Sequence, residues 1–308
     1  MALTPAVKKI IDGYENENAG VKSNLVRMLN HGKLAGTGKM VILPVDQGFE
    51  HGPARSFAKN PDGYDPHYHY QLAIDAGTNA YAATLGSLQA GAETFAGQVP
   101  TILKYNSNNS LASAKNQDYN MAVTASIQDA LEMGCTAVGF TIYPGSDNQF
   151  DMMEEVRDMI REAKDYGLPS VVWAYARGEG ITKEGQTAMD VIAYSAHLAC
   201  MLGAHVVKVK LPGDHLMQKE AKKAFEDNNI DISSPAARVK EVVRSCFNGR
   251  RMVVFSGGAA KGADAVFDDA KAIKKGGGNG SIIGRNSFQR KKKDGLEMLG
   301  KIMDIYKS

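Results

Sequence analysis

The chain has 308 residues, 44% of them hydrophobic and 23% charged, a composition that excludes wholesale disorder and collagen-like chains. Thirty-six Lys+Arg against 34 Asp+Glu leave a formal net charge of +2, which argues against nucleic acid as the main partner. No apolar run approaches the ~20 residues of a membrane helix. Residues 1–20 carry no signal-peptide core, and Cys135, Cys200 and Cys246 lack metal-like spacing, so the expected setting is a reduced cytoplasm.

In chain order, residues 1–35 read as a polar helical extension ending in a glycine-rich loop. Residues 40–45 are a short, apolar, β-branched run closed by Asp46-Gln47-Gly48, the pattern of a strand buried on both faces. Similar runs recur at 79–84, 101–105, 136–143, 170–175, 204–210, 252–255 and 281–283. Helical patterns lie between most of them, including 151–167, 187–203 and 235–247. Eight alternating units predict parallel βαβ connections and a closed (β/α)₈ barrel over residues 36–308, a single domain behind the 1–35 extension. A doubly wound open sheet is the alternative.

In such a barrel chemistry lies at the C-terminal strand ends. The first strand ends in Asp46, followed by His51, a layout suited to acid/base or hydroxyl-binding work; an Asp there also reads as a helix cap. The fifth ends in Trp173-Ala174-Tyr175, whose aromatic rings share a face because strand side chains alternate; they serve equally as packing. The sixth carries Lys208 and Lys210 on one face, with Val207 and Val209 on the other. Lysine is rarely buried unless paired or functional, and a buried amine beside a second cation loses proton affinity, as a Schiff-base nucleophile requires. Phosphate electrostatics is the competing reading of this pair. Lys208 is expected to lie deeper, and Lys210 nearer the mouth, where it stays charged. Strands seven and eight run into Ser256-Gly257-Gly258 and Gly284-Arg285, where barrels commonly bind phosphate through backbone N–H groups and a helix N-terminus.

Other candidates are weaker. His67 and His69 follow the N-cap pair Asp65-Pro66, and residues i and i+2 of a helix do not share a face, so no metal site is expected. His205 has helix-facing parity and reads as packed. The glycines at 276–278 precede a strand, the wrong context for a dinucleotide fingerprint. Lys104 is a competing amine, but without a second lysine to depress it.

Residues 43–53, the Trp173–Tyr175 segment with Arg177-Gly178, residues 203–214, Phe255-Ser256-Gly257-Gly258 and Ile282-Ile283-Gly284-Arg285-Asn286 together resemble the archaeal-type class I fructose-bisphosphate aldolases. The matches keep the family's order across most of the chain. The resemblance implies a (β/α)₈ barrel, cofactor-free and metal-free Schiff-base chemistry on a sugar phosphate, a role in glycolysis and gluconeogenesis, and a homo-oligomer. It implies Lys208 as the Schiff-base lysine, Tyr175 as proton donor/acceptor and Asp46 as the acid that positions a substrate hydroxyl. His51, Trp173 and Lys210 are implied to shape the sugar pocket, and Ser256, Gly257, Gly258, Gly284 and Arg285 to hold phosphate. Three departures stand out: Gln47 replaces a more usual histidine, His205 stands where an acid is common, and Lys210-Leu211-Pro212 replaces a Tyr-Thr motif. Two other readings fit the same residues. One is a related lysine aldolase or transaldolase-type synthase for another phosphorylated ketose. The other is a non-catalytic sugar-phosphate-binding barrel.

Overall fold

A computed structural model describes residues 3–111, 119–257 and 262–308. The strands are β1 (Met40–Val45), β2 (Ala80–Thr84), β3 (Thr101–Lys104), β4 (Ala137–Ile142), β5 (Ser170–Ala174), β6 (Val206–Lys210), β7 (Met252–Ser256) and β8 (Gly280–Ile282). They close a barrel in sequential order, every neighbouring pair parallel and β1 joined to β8. A two-residue ribbon, Asn106–Ser107 against Ala122–Val123, stands just beyond β3. The predicted closed barrel is therefore observed, and the open sheet is not.

Strand alternation divides the apolar side chains between two cores. Val41, Leu43, Val207 and Val209 pack outward against the helices; Met40, Ile42, Val206 and Val254 point into the barrel. Both faces of every such strand are covered, which is why the sequence shows continuous apolar runs rather than alternation with polar residues.

The segment ahead of β1 differs from the polar extension expected. Helices α1 (Pro5–Asp12) and α2 (Ala19–Leu29) are capped by Thr4 and Asn18, whose side chains accept from the backbone N–H of Val7 and Val21. Such caps are each worth roughly 1 kcal/mol. Their apolar residues Val7, Ile11, Val21, Leu25, Met28 and Leu29 share the inner core with Met40, Ala80 and Met252, at the N-terminal ends of the strands. The helices thus plug the end of the barrel opposite the site. The helices were legible but their buried apolar side was not, because its partner, the barrel interior, is set by tertiary packing.

Polar contacts lock this plug. Tyr14 OH donates to the His205 carbonyl and accepts from the Met252 N–H. His205 is 1% exposed, and its Nδ1 accepts from the Ser170 N–H. Nε2 therefore carries the proton and faces the Glu17 carboxylate at 3.3 Å, while Lys164 Nζ lies 3.0 Å from the same oxygen. His205 and then Lys164 hold Glu17 down to about 2, against an ordinary 4.5. A lowered carboxylate stabilises the fold above its unfolded pKa, and that stability is lost as pH falls through the folded one. Glu17→Gln is expected to lower Tm at pH 7 by roughly 2–4 °C and to flatten the loss of stability between about pH 4.5 and 2. Melting curves across that range check it; an unchanged acid limb would remove Glu17 from the account.

Candidate active site

A cavity of about 370 Å³ opens at the C-terminal ends of the strands. Asp46, His51, Trp173, Tyr175, Lys208, Lys210, Ser256, Gly257, Gly284 and Arg285 all line it. Gly258 lies outside the described residues.

Strand parity brings the central group together. Trp173 and Lys208 are paired in register on β5 and β6, both almost fully buried. Lys208 Nζ sits 4.9 Å from the Trp173 ring centre and 5.5 Å from that of Tyr175. The indole needs room, and Gly139 on β4 provides it, since a Cβ there would come within 2.6 Å of the ring. Asp46 occupies the N-cap position of the helix Gln47–His51, yet its side chain makes no capping bond. Its Oδ1 is buried without a partner among the described residues. The capping reading of Asp46 does not hold, and the carboxylate is available to the cavity. His51 lies 3.7 Å from Glu50. Burial is the largest influence on it and, with the Arg285 and Arg55 charges, lowers its pKa despite the Glu50 and Asp46 carboxylates, which favours the neutral imidazole.

Two lysine expectations need correction. Lys210 does not keep an ordinary ammonium at the mouth: burial, then the Arg177 and Arg285 guanidiniums, push it down to about 8. Lys104 does have a second lysine beside it. Its Nζ stands 5.7 Å from the centre of the same Trp173 ring, and it is 3% exposed. Burial brings it down to about 8; Asp46 opposes the shift and Lys208 adds to it. As pH rises through 8, both amines lose their protons and the cavity loses positive charge. The KM for a bisphosphate is therefore expected to rise roughly tenfold between about pH 7 and 9.5, in steady-state kinetics at constant ionic strength.

Sequence reasoning overlooked further cavity residues. Arg177 lies 5.8 Å from the Tyr175 ring centre and 5.9 Å from that of Tyr143, and Glu50 and Tyr143 line the wall. Burial raises the Tyr143 phenol above its usual 10, with Glu50 adding to the shift, so it stays protonated and can donate. The signal that would have found Thr141 and Tyr143 was available. They continue the inward parity of β4, as Lys104 does on β3 and Lys208 and Lys210 do on β6.

Ser256 ends β7 and Gly257 follows it, and Gly284 and Arg285 follow β8 on the adjacent wall. A Cβ on Gly284 would lie 3.0 Å from the Pro44 carbonyl and 3.1 Å from Gln47 Nε2, so a side chain here would crowd the turn. The helix after Gly284 is a single turn, Arg285–Phe288. It offers little dipole, which leaves the Arg285 guanidinium as the stronger candidate for holding an anion on this wall. Lys104, Lys210, Arg177 and Arg285 outnumber the Asp46 and Glu50 carboxylates in the lining, so the cavity favours an anionic ligand. Arg285→Ala is expected to raise KM for a bisphosphate about tenfold to a hundredfold, because a charge-assisted contact is worth roughly 1.5–3 kcal/mol. A change within about twofold would place the phosphate elsewhere.

His67 and His69, set aside as metal ligands, turn to different carbonyls: His67 Nε2 to Ala90 and His69 Nε2 to Gly63.

Residues 40–290 match the model of the DeoC/LacD family aldolases. The chain belongs to this family. It is 35% identical over 301 residues to a probable class 1 fructose-bisphosphate aldolase of Chlamydia muridarum, covering 94% of this chain and 86% of that protein. It is 35% identical over 255 residues to the class 1 fructose-bisphosphate aldolase of Thermoproteus tenax, covering 82% and 85%. Among solved structures, a Schiff-base-forming fructose-1,6-bisphosphate aldolase aligns with a TM-score of 0.72 at 32% identity, over 87% of this chain and 94% of that one. An archaeal fructose-1,6-bisphosphate aldolase, its catalytic Lys covalently bound to the carbinolamine intermediate, aligns with a TM-score of 0.74 at 29% identity, over 97% and 100%. The family membership fits the carbonyl chemistry to which a buried lysine beside a phenol, in a cavity that also holds a carboxylate, is suited.

Proposed function

We propose that the protein is a class I fructose-bisphosphate aldolase that reversibly cleaves fructose 1,6-bisphosphate to dihydroxyacetone phosphate and glyceraldehyde 3-phosphate through an imine on Lys208. The observation that carries this reading is Lys208 itself, a lysine 4% exposed at the floor of a cationic cavity, in a family of aldolases. Lys208 Nζ adds to the C2 ketone and water leaves. The protonated imine then accepts electrons from the C3–C4 bond as Tyr175, assisted by Asp46, takes the C4 hydroxyl proton. Glyceraldehyde 3-phosphate departs. Protonation of the enamine at C3 and hydrolysis release dihydroxyacetone phosphate and the free lysine. Arg285, Ser256, Gly257 and Gly284 hold one phosphate, and His51, Trp173 and Lys210 line the sugar. Arg177, in the loop after β5, adds charge for the second phosphate.

A cytoplasmic location and a homo-oligomeric assembly belong to the same reading. Three buried, unpaired cysteines suit a reducing compartment, and Tyr194 and Met201, both largely exposed on the helix Met189–Met201, suit a surface that a second copy covers. Among the described residues, no helix is long and apolar enough to cross a membrane.

The test is a coupled assay of purified protein with fructose 1,6-bisphosphate, with and without a chelator. Cleavage that survives chelation supports the reading. No cleavage of the bisphosphate, with turnover of another phosphorylated ketose, would favour the related synthase. No turnover and no covalent imine would favour a binding barrel.

A further inference from the structure

The floor of the cavity holds two amines where the reaction uses one. Lys104 and Lys208 stand over the same indole, and both line the cavity. With Lys104 brought down to about 8, a large share of it is neutral near that pH, in the form that attacks ketones. An enzyme that builds one imine at one carbon must keep the other amine out of the reaction.

The two lysines differ in what holds them. Lys104 Nζ donates to the Asn106 backbone carbonyl and, at 3.1 Å, to Asn106 Oδ1. Asn106 is itself fully buried and cannot turn away. Its Nδ2 donates to the Thr141 carbonyl at 2.9 Å, and its Oδ1 accepts from the Thr141 N–H at 2.7 Å. One side-chain amide thus bonds β4 in place of a strand backbone, just where β3 has ended, and the same oxygen anchors Lys104. Lys208 Nζ, in contrast, faces the Trp173 and Tyr175 rings.

We infer that Asn106 is a positioning residue that silences Lys104 as a nucleophile, holding its amine on two carbonyl oxygens and leaving the ketone to Lys208. The inference rests on the aldolase reading, with Lys208 as the nucleophile. The charged groups facing Lys104 are Asp46 beyond β1, Glu50 on the helix Gln47–His51 and Lys208 on β6; none of them ties the amine down by a hydrogen bond. A released Lys104 would react as Lys208 does. Its nitrogen adds to the carbonyl carbon of dihydroxyacetone phosphate, and the carbonyl oxygen leaves as water with the two amine protons. Borohydride then delivers hydride to the imine carbon and solvent a proton to nitrogen, fixing a secondary amine on the lysine.

The experiment traps the full-length protein with dihydroxyacetone phosphate and borohydride between about pH 7 and 9, and maps the adduct by peptide mass. The expected adduct is on Lys208 in the parent and on neither lysine in Lys208→Ala. Adding Asn106→Ala to Lys208→Ala removes the side-chain oxygen and the amide bonds that fix residue 106 to β4, leaving only its backbone carbonyl, and should place an adduct on Lys104, about tenfold to a hundredfold above the single variant, increasing as pH passes 8. Asn106→Ser serves the same purpose with less loss of packing, each variant being checked for a parental thermal transition. Asn106→Asp keeps an acceptor on Lys104 and should leave it untrapped. An adduct on Lys104 in Lys208→Ala alone, or none in the folded double variants, would overturn the inference. A parental adduct on any lysine other than Lys208 would overturn the underlying reading instead, and it is read before Asn106 is changed.

Discussion

Lys208→Ala is expected to abolish aldol cleavage, with a fall in kcat on the order of 10⁴-fold or more, the scale seen when a covalent nucleophile is removed. The same substitution should eliminate the borohydride-trapped adduct with dihydroxyacetone phosphate, while Lys210→Ala retains it at a reduced or pH-shifted rate. The argument is geometric. The two residues are separated by ~6.6 Å of strand rise, and an anchored phosphate near Arg285 lets only one of them reach the ketone carbon. Lys208 lies beside Trp173 and Tyr175. Lys210 lies farther along β6, in register with Ser256 and 3.4 Å from Gln186 Oε1, on the side where phosphate is proposed to bind. Phosphate binding should survive in Lys208→Ala, because that site rests on other strands. A Lys208→Ala protein that still cleaves the bisphosphate within about tenfold of the parent would end the Schiff-base assignment.

Much of the architecture was legible because a barrel strand advertises itself: residues 40–45 are apolar on both faces and closed by Asp46, and residues 206–210 set valines against the inward Lys208 and Lys210. Two-residue parity then placed Trp173 with Tyr175 and Lys208 with Lys210. Three things were not legible. The partner of the α1/α2 stripe is the barrel interior, which no local pattern in residues 5–29 specifies. The proton affinity of Lys210 depends on burial and then on Arg177 and Arg285, which approach from beyond other strands, so position near the mouth misjudged it. Lys104 was set aside because its nearest lysine is Lys208 across the barrel floor, a neighbour created by closure and absent from the local sequence. His205 shows the opposite case. Its strand parity alone placed it outside the cavity, and the structure finds it bonded to Ser170 and facing Glu17.

Tyr175→Phe is expected to lower kcat by about 10²- to 10⁴-fold, the usual contribution of a positioned acid–base group, while leaving imine trapping intact. The two readouts separate because they depend on different steps. Trapping needs only addition of Lys208 to the ketone and loss of water, whereas cleavage also needs the C4 hydroxyl proton to be taken. The substitution removes one oxygen and keeps the ring that packs under Arg177 and beside Lys208, so a large effect reports the proton rather than the packing. Tyr143 is the control. Its phenol lines the same cavity and lies under the same guanidinium, but burial raises its pKa, which makes it a donor and a poor base. Tyr143→Phe should therefore cost less in kcat than Tyr175→Phe and show mainly in KM. If Tyr175→Phe also loses the trapped adduct, the phenol acts earlier, in carbinolamine dehydration. If Tyr143→Phe is the more damaging of the two in kcat, the proton passes through the other tyrosine and the division of roles proposed for this cavity is wrong.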